Sequence, residues 1–124
     1  MLKKWKIKYY KNDVGECPID DFIDALSEKD KDKINAWIRH LGQKGAEVRR
    51  PQADYLRDGI HELRIKLSGK ETRTLYFFCF EEYIILTHTF VKNTNKVPDA
   101  QINRALIYKQ DFLKRFDINN IEEL

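Results

Sequence analysis

The chain has 124 residues, 42% of them hydrophobic and 35% charged, with a net charge of +3 and a pI near 8.8. Such a length fits one domain, residues 1–124, that buries an ordinary core without disulfides or a metal, and it calls for no second unit. The two cysteines, Cys17 and Cys79, lie in unrelated contexts and match neither a disulfide framework nor a zinc spacing, which reads as reduced thiols of a cytoplasmic protein with no metal and no cofactor.

Met1-Leu2-Lys3-Lys4 starts with charge but no apolar run follows, and no stretch approaches the about 18 residues that span a bilayer, so neither a leader nor a membrane span is expected. Lys3 to Tyr10 alternates Trp5, Ile7 and Tyr9 with Lys4, Lys6 and Lys8, the pattern of an edge strand with one lysine-rich face. Asn12-Asp13-Val14-Gly15 breaks it. Pro18 then opens a helix whose Ile19, Phe22, Ile23 and Leu26 form one apolar stripe. Ser27 followed by Asp30 resembles a capping box, and Ile34, Trp37, Ile38 and Leu41 repeat the spacing until Gly42 and Gly45. These two helices form an αα-hairpin against a sheet.

Ile60 to Leu67 alternates, with Leu63, Ile65 and Leu67 on one face and Glu62, Arg64 and Lys66 on the other. Ser68-Gly69-Lys70 is a hairpin turn, and Glu71 to Phe80, apolar on both faces over its later half, suits a central strand. Glu81-Glu82 turns the chain into a third strand, Tyr83 to Val91, which delivers Lys92 at its end. Pro98 starts a last helix that runs to about Phe116, and the tail Asp117 to Leu124 is expected to fray. The order β-α-α-β-β-β-α gives an α+β domain: a mostly antiparallel four-stranded sheet with the αα-hairpin packed on it and a C-terminal helix, the helices on one face.

Acidic residues concentrate in Asp13 to Asp32 and in Glu122-Glu123, whereas bases dominate from Lys44 through Arg73 and from Lys92 to Lys96. The three later strands thus place Arg64, Lys66, Arg73, His88 and Lys92 on or near one sheet surface, with Glu62 and Glu71 the only acids expected there. A cationic surface suits phosphate, and hence RNA or DNA, better than it suits a carboxylate-driven hydrolase. The plainer alternatives are that Arg64 pairs with Glu62 or Glu71, that His88 and His61 are core residues, and that Tyr76, Phe77 and Phe78 are core aromatics.

Three segments resemble HigB-like toxins of the RelE/ParE superfamily. Pro51 through Tyr55-Leu56-Arg57-Asp58-Gly59-Ile60-His61-Glu62-Leu63-Arg64 is similar to that family's "P…L-x-D-G-[ILY]-x-E-L-R" segment. Thr72-Arg73-Thr74-Leu75-Tyr76-Phe77 resembles its "Y-R-hydrophobic-hydrophobic-Y" strand, and His88 through Lys92-Asn93-Thr94-Asn95-Lys96-Val97-Pro98 resembles its "H-x-F-x-K-K-T-x-K-T-P" segment. Asn93, Thr72 and Val97 depart from the family's Lys, Tyr and Thr at those positions.

The resemblance implies a RelE-like fold. It also implies a metal-independent, ribosome-dependent endoribonuclease (mRNA interferase) of a bacterial type II toxin–antitoxin pair, whose partners are mRNA on the ribosome and a helix-turn-helix antitoxin. Arg64, Arg73 and Lys92 match the family's basic RNA-binding or cleavage positions. In such a site the arginine forks hold phosphate oxygens and offset growing charge, while Lys92, Lys66 or His88 transfers protons. Lys66 and Lys96 join as phosphate contacts, and Tyr76 or Tyr108 as a stacking partner for a base. Two other functions remain open for such a chain: a gyrase-directed ParE-like toxin, and a non-catalytic RNA- or protein-binding relic of the same fold.

Overall fold

The computed structural model describes residues 3–124; Met1 and Leu2, on which the expectation for the start of the chain partly rests, lie outside the described residues. The elements in chain order are β1 (Lys6–Tyr9), α1 (Pro18–Asp24), α2 (Glu28–Lys44), β2 (Ala53–Arg57), β3 (Ile60–Leu67), β4 (Lys70–Cys79), β5 (Tyr83–Val91) and α3 (Asp99–Arg115), with 3-10 turns at Gly45–Glu47 and Ile121–Glu123. The five strands form one sheet in the order β1-β5-β4-β3-β2, parallel between β1 and β5 and antiparallel elsewhere. No helix among the described residues is long and apolar enough to cross a membrane.

Local chemistry accounts for the boundaries. The Ser27 hydroxyl accepts the Asp30 amide at 3.3 Å, which satisfies one of the free donors at the start of α2, and Gly45 ends that helix with a φ of +54°. Gly45 is fixed by space as well as by backbone, since a Cβ there would sit 2.0 Å from the Trp5 ring nitrogen. Ser68 and Gly69, at φ +49° and +80°, make the left-handed two-residue turn that joins two right-twisted strands.

The α+β class and the αα-hairpin stand, but the sheet has a fifth strand. Ala53–Arg57 is short, carries Asp54 and Arg57, and is bulged between Tyr55 and Arg57, so alternation fails to announce it. The Asp58-Gly59 turn does announce it, since both residues have positive φ (+52° and +83°) and close a tight hairpin onto β3.

The helices also lie on both faces, not one. α1 and α2 bury Ile19, Ile23, Ile34, Ile38 and Leu41 against Leu63, Ile65, Leu67, Tyr76, Ile84 and Leu86. α3 buries Ile102, Ala105 and Phe112 against Ile60, Leu75, Phe77 and Ile85 on the opposite face. Two cores explain why β4 and β5 are apolar on both sides. The tail is ordered rather than frayed: Ile121 is fully buried in the α3-side core, and the Glu122 carboxylate accepts the Tyr83 hydroxyl and pairs with Lys8 at 3.1 Å.

Candidate nucleic-acid interface

Strand parity decides which predicted residues can meet. Ile60, Leu75 and Phe77 face α3, so Glu62, Arg64 and Lys66 of β3 and Glu71 and Arg73 of β4 share that face. Register then stacks three rows across β3, β4 and β5. Glu62, Leu75 and His88 form the first, Arg64, Arg73 and Phe90 the second, and Lys66 and Glu71 the third. Lys92 extends the third row just past the end of β5, its amide bonded to the Glu71 carbonyl at 2.8 Å. α3 covers the first row, where Gln101 reaches His88; in the other two, Lys66 and Glu71 are exposed, Arg64, Phe90 and Lys92 are half-buried, and Arg73 is buried.

Glu62 organises the two arginines. Its side chain is 4% exposed; Arg64 Nε donates to its Oε1 at 2.7 Å, and Arg73 Nε lies 3.2 Å from the same oxygen. The Arg73 contact is within ion-pair range but out of line for a hydrogen bond, so this buried N–H has no acceptor. Arg73 Nη1 donates to its neighbour's carbonyl at Thr72 (2.9 Å) and lies 3.6 Å from Glu71. Arg64, with a third of its side chain exposed, also lies 3.6 Å from Asp54. Asp54 is a third acid on this surface, beyond the two expected, and it comes from β2, the strand that alternation did not reveal. The Arg50 guanidinium bonded to Asp54 holds that carboxyl below the usual carboxylate range.

The remaining candidates divide. His88 is wholly buried; its Nε2 lies 2.9 Å from Gln101 Oε1 and its Nδ1 3.1 Å from Thr87 Oγ1. Burial pushes its pKa down to about 4, so the ring is neutral at pH 7 and sealed from substrate. The expectation of an acid or base at His88 is therefore corrected to a core residue. Tyr76 is corrected too: it faces α2, buried between His61 and Phe78, on the opposite side of the sheet from Arg73. Tyr108 packs on Tyr10 with centroids 4.5 Å apart, and its hydroxyl accepts Arg104 Nε at 2.8 Å, so its ring faces are engaged at a different place. Lys96 is exposed in the loop leading to α3.

Arg64, Arg73, Lys66 and Lys92 are thus brought onto one face, with Lys96 in the adjoining loop. His88 lies beneath that face, and Tyr76 and Tyr108 lie elsewhere. Sequence reasoning missed the bridging role of Glu62, although its parity with Arg64 was visible, and it missed Asp54, which only the Asp58-Gly59 hairpin signal could have placed. Among the described residues no three His, Cys, Asp or Glu side chains converge as a metal site would require.

A search of curated proteins returns no match. The profile of the family described as "Phage derived protein Gp49-like (DUF891)" matches residues 21–110, which run from within α1 to within α3 and include every cation of the basic face. The chain belongs to this phage-derived Gp49-like family.

Proposed function

We propose that the chain is the toxin of a bacterial type II toxin–antitoxin pair, acting in the cytoplasm as a metal-independent mRNA endoribonuclease on the ribosome and silenced by an antitoxin. Membership of a phage-derived family is consistent with such a role. The observation that carries the reading is the second row: two guanidiniums from adjacent strands directly opposite each other, one with an unsatisfied buried N–H, beside Lys66 and Lys92. Like charges opposed across a ladder destabilise a sheet unless an anion lies between them. Glu62 supplies part of that anion from below; a phosphate arriving from solvent supplies the rest from above.

The division of work follows from exposure. Arg64 meets solvent and presents its fork to a phosphate oxygen, while Arg73, fixed by Glu62 and the Thr72 carbonyl, supplies a preorganised charge behind it. Cleavage by the 2′-OH transfers that hydroxyl's proton to a base, forms a bond from its oxygen to phosphorus, and protonates the departing 5′-oxygen. With His88 sealed, the groups placed to move protons are Lys92, Lys66 and the half-exposed Glu71 between them.

A non-catalytic binding role draws on one observation of its own, the engagement of both guanidiniums by Glu62, Glu71 and Asp54. Purified protein offered translating and naked transcripts separates the two. Cleavage confined to translating mRNA is the expected result. Binding without cleavage, or intact transcripts with relaxed plasmid accumulating in cells, contradicts it in favour of the relic or the gyrase-directed toxin.

A further inference from the structure

Tyr55 of β2 and His61 of β3 stand opposite each other on the sheet face turned away from the Arg64–Arg73 row. His61 stacks on Tyr76 with centroids 5.3 Å apart and meets Tyr55 and Phe78 edge-on, each at 5.1 Å. Packing therefore fixes the ring, yet neither of its nitrogens has a hydrogen-bond partner among the described residues and neither is sealed from solvent. Burial, helped by the Lys109 charge, pushes its pKa below the ordinary 6.5, so at pH 7 the imidazole is neutral and offers one donor and one acceptor. Tyr55 stays 54% exposed, its ring steadied by a hydroxyl that accepts the Gly59 amide at 3.0 Å. The two rings line a pocket of about 470 Å³ at the β2 edge of the sheet, closed by Val48 and rimmed by Arg49, Arg50 and Asp54. Asp54 takes up the Arg50 charge at 2.8 Å, whereas exposed Arg49 makes no ion pair among the described residues. Asp54 also lies 3.6 Å from Arg64, so the pocket and the basic row share one carboxylate around the edge of the sheet.

We propose that this pocket binds one unpaired nucleotide of an RNA strand, with the base against Tyr55 and one of its edges on a His61 ring nitrogen, the phosphate on Arg49, and the strand continuing around the sheet edge to Arg64. The chemistry selects the occupant. The two rings meet at 70°, so a planar group stacked on Tyr55 comes edge-on to His61. A purely apolar guest leaves the imidazole nitrogens without partners, whereas a base edge carries both donors and acceptors. The free Arg49 guanidinium adds the demand for an anion beside the ring. Stacking, edge contact and phosphate contact are the combination by which single strands are held, while a duplex keeps its bases out of reach. Because the pocket lies on the other face from Arg73, it reads a base that flanks the cleaved bond and so biases where cleavage falls. The choice of RNA rests on the function proposed above; the pocket's aromatic, neutral and cationic groups do not.

The test titrates the full chain with a single-stranded RNA tetranucleotide, the same strand without its bases, and inorganic phosphate, following the imidazole signals by NMR. The His61 signal is expected to shift with the intact RNA alone, while that of His40, which lies outside the pocket on α2, stays in place. Tyr55→Ala is expected to weaken binding of the intact strand by about tenfold and to leave the abasic strand unaffected. Arg49→Gln, which keeps both rings, is expected to reduce the dependence of log K on log salt by about 0.7. The His61 shift is read on the wild type, so it decides the matter even where Tyr55→Ala disturbs the hairpin. Four results overturn the proposal: no His61 shift at ~1 mM RNA, an equal shift from the abasic strand or from phosphate, RNA affinity unchanged in a folded Tyr55→Ala variant, or an unchanged salt slope for Arg49→Gln. Ribosome-dependent cleavage by the wild type with no His61 shift sinks this inference alone. A base-dependent His61 shift without cleavage sinks only the nuclease activity.

Discussion

At the scale of single residues, Glu62 holds the account together. It is the buried counterion of two guanidiniums, so removing its charge leaves Arg64 and Arg73 opposed with only the more distant Asp54 and Glu71 beside them. Breaking a buried pair from one side costs about 3–5 kcal/mol, whereas trimming a partly exposed partner costs about 1 kcal/mol or less. Chemical denaturation is therefore expected to show a large loss for Glu62→Gln and a small one for Arg64→Ala; comparable losses would mean that Glu62 is not shared as described. His88 gives a pH test. Its folded pKa of about 4 lies below the ordinary 6.5 of the unfolded chain, so the unfolded state binds the extra proton between those values. The stability it contributes is complete above pH 6.5 and falls as pH drops toward 4, at up to about 1.4 kcal/mol per pH unit. A His88→Gln variant is expected to flatten that slope relative to wild type, and an unchanged slope would place the titration in another group.

At the scale of elements, four of the five strands and all three α-helices were legible because their signals are local. Ser27 capping α2, the Ser68-Gly69 turn and the alternation of β3 each depend on a few neighbouring residues. β2 was not legible by alternation, since a bulged strand of five residues has no period to read, and its Asp58-Gly59 turn was absorbed into a motif instead of being read as a hairpin. The assignment of α3 to the second face follows from tertiary contacts alone, although the double-sided apolarity of β4 already required something to cover each side. The tail misled because acidic, terminal sequence argues for fraying, while one residue, Ile121, anchors it. Ile121→Ala is expected to cost about 2–4 kcal/mol in denaturation, while Ile118→Ala, half-exposed in the same tail, changes stability by no more than about 0.5 kcal/mol. Equal effects would mean that the tail is not anchored through Ile121.

At the scale of the whole molecule, a modest net charge conceals a division of labour. One sheet face beyond the start of α3 gathers Arg64, Arg73, Lys66 and Lys92, and the far edge at β1 carries a second, lysine-rich strip. Charge counting along the sequence located both, but it could not see that Glu62 also reaches Arg73 or that Asp54 lies beside Arg64, because those contacts depend on cross-strand register. If RNA lies on the first face, Lys92→Gln lowers its affinity and reduces the dependence of log K on log salt by about one. An unchanged slope removes Lys92 from the contact. The most direct test of the central claim is primer extension on a ribosome-bound transcript with wild type and Arg64→Ala, the variants matched for folding by circular dichroism. Discrete cleavage by the wild type that the variant loses is the predicted result; cleavage by both, or by neither, contradicts a nuclease built on this row of the sheet.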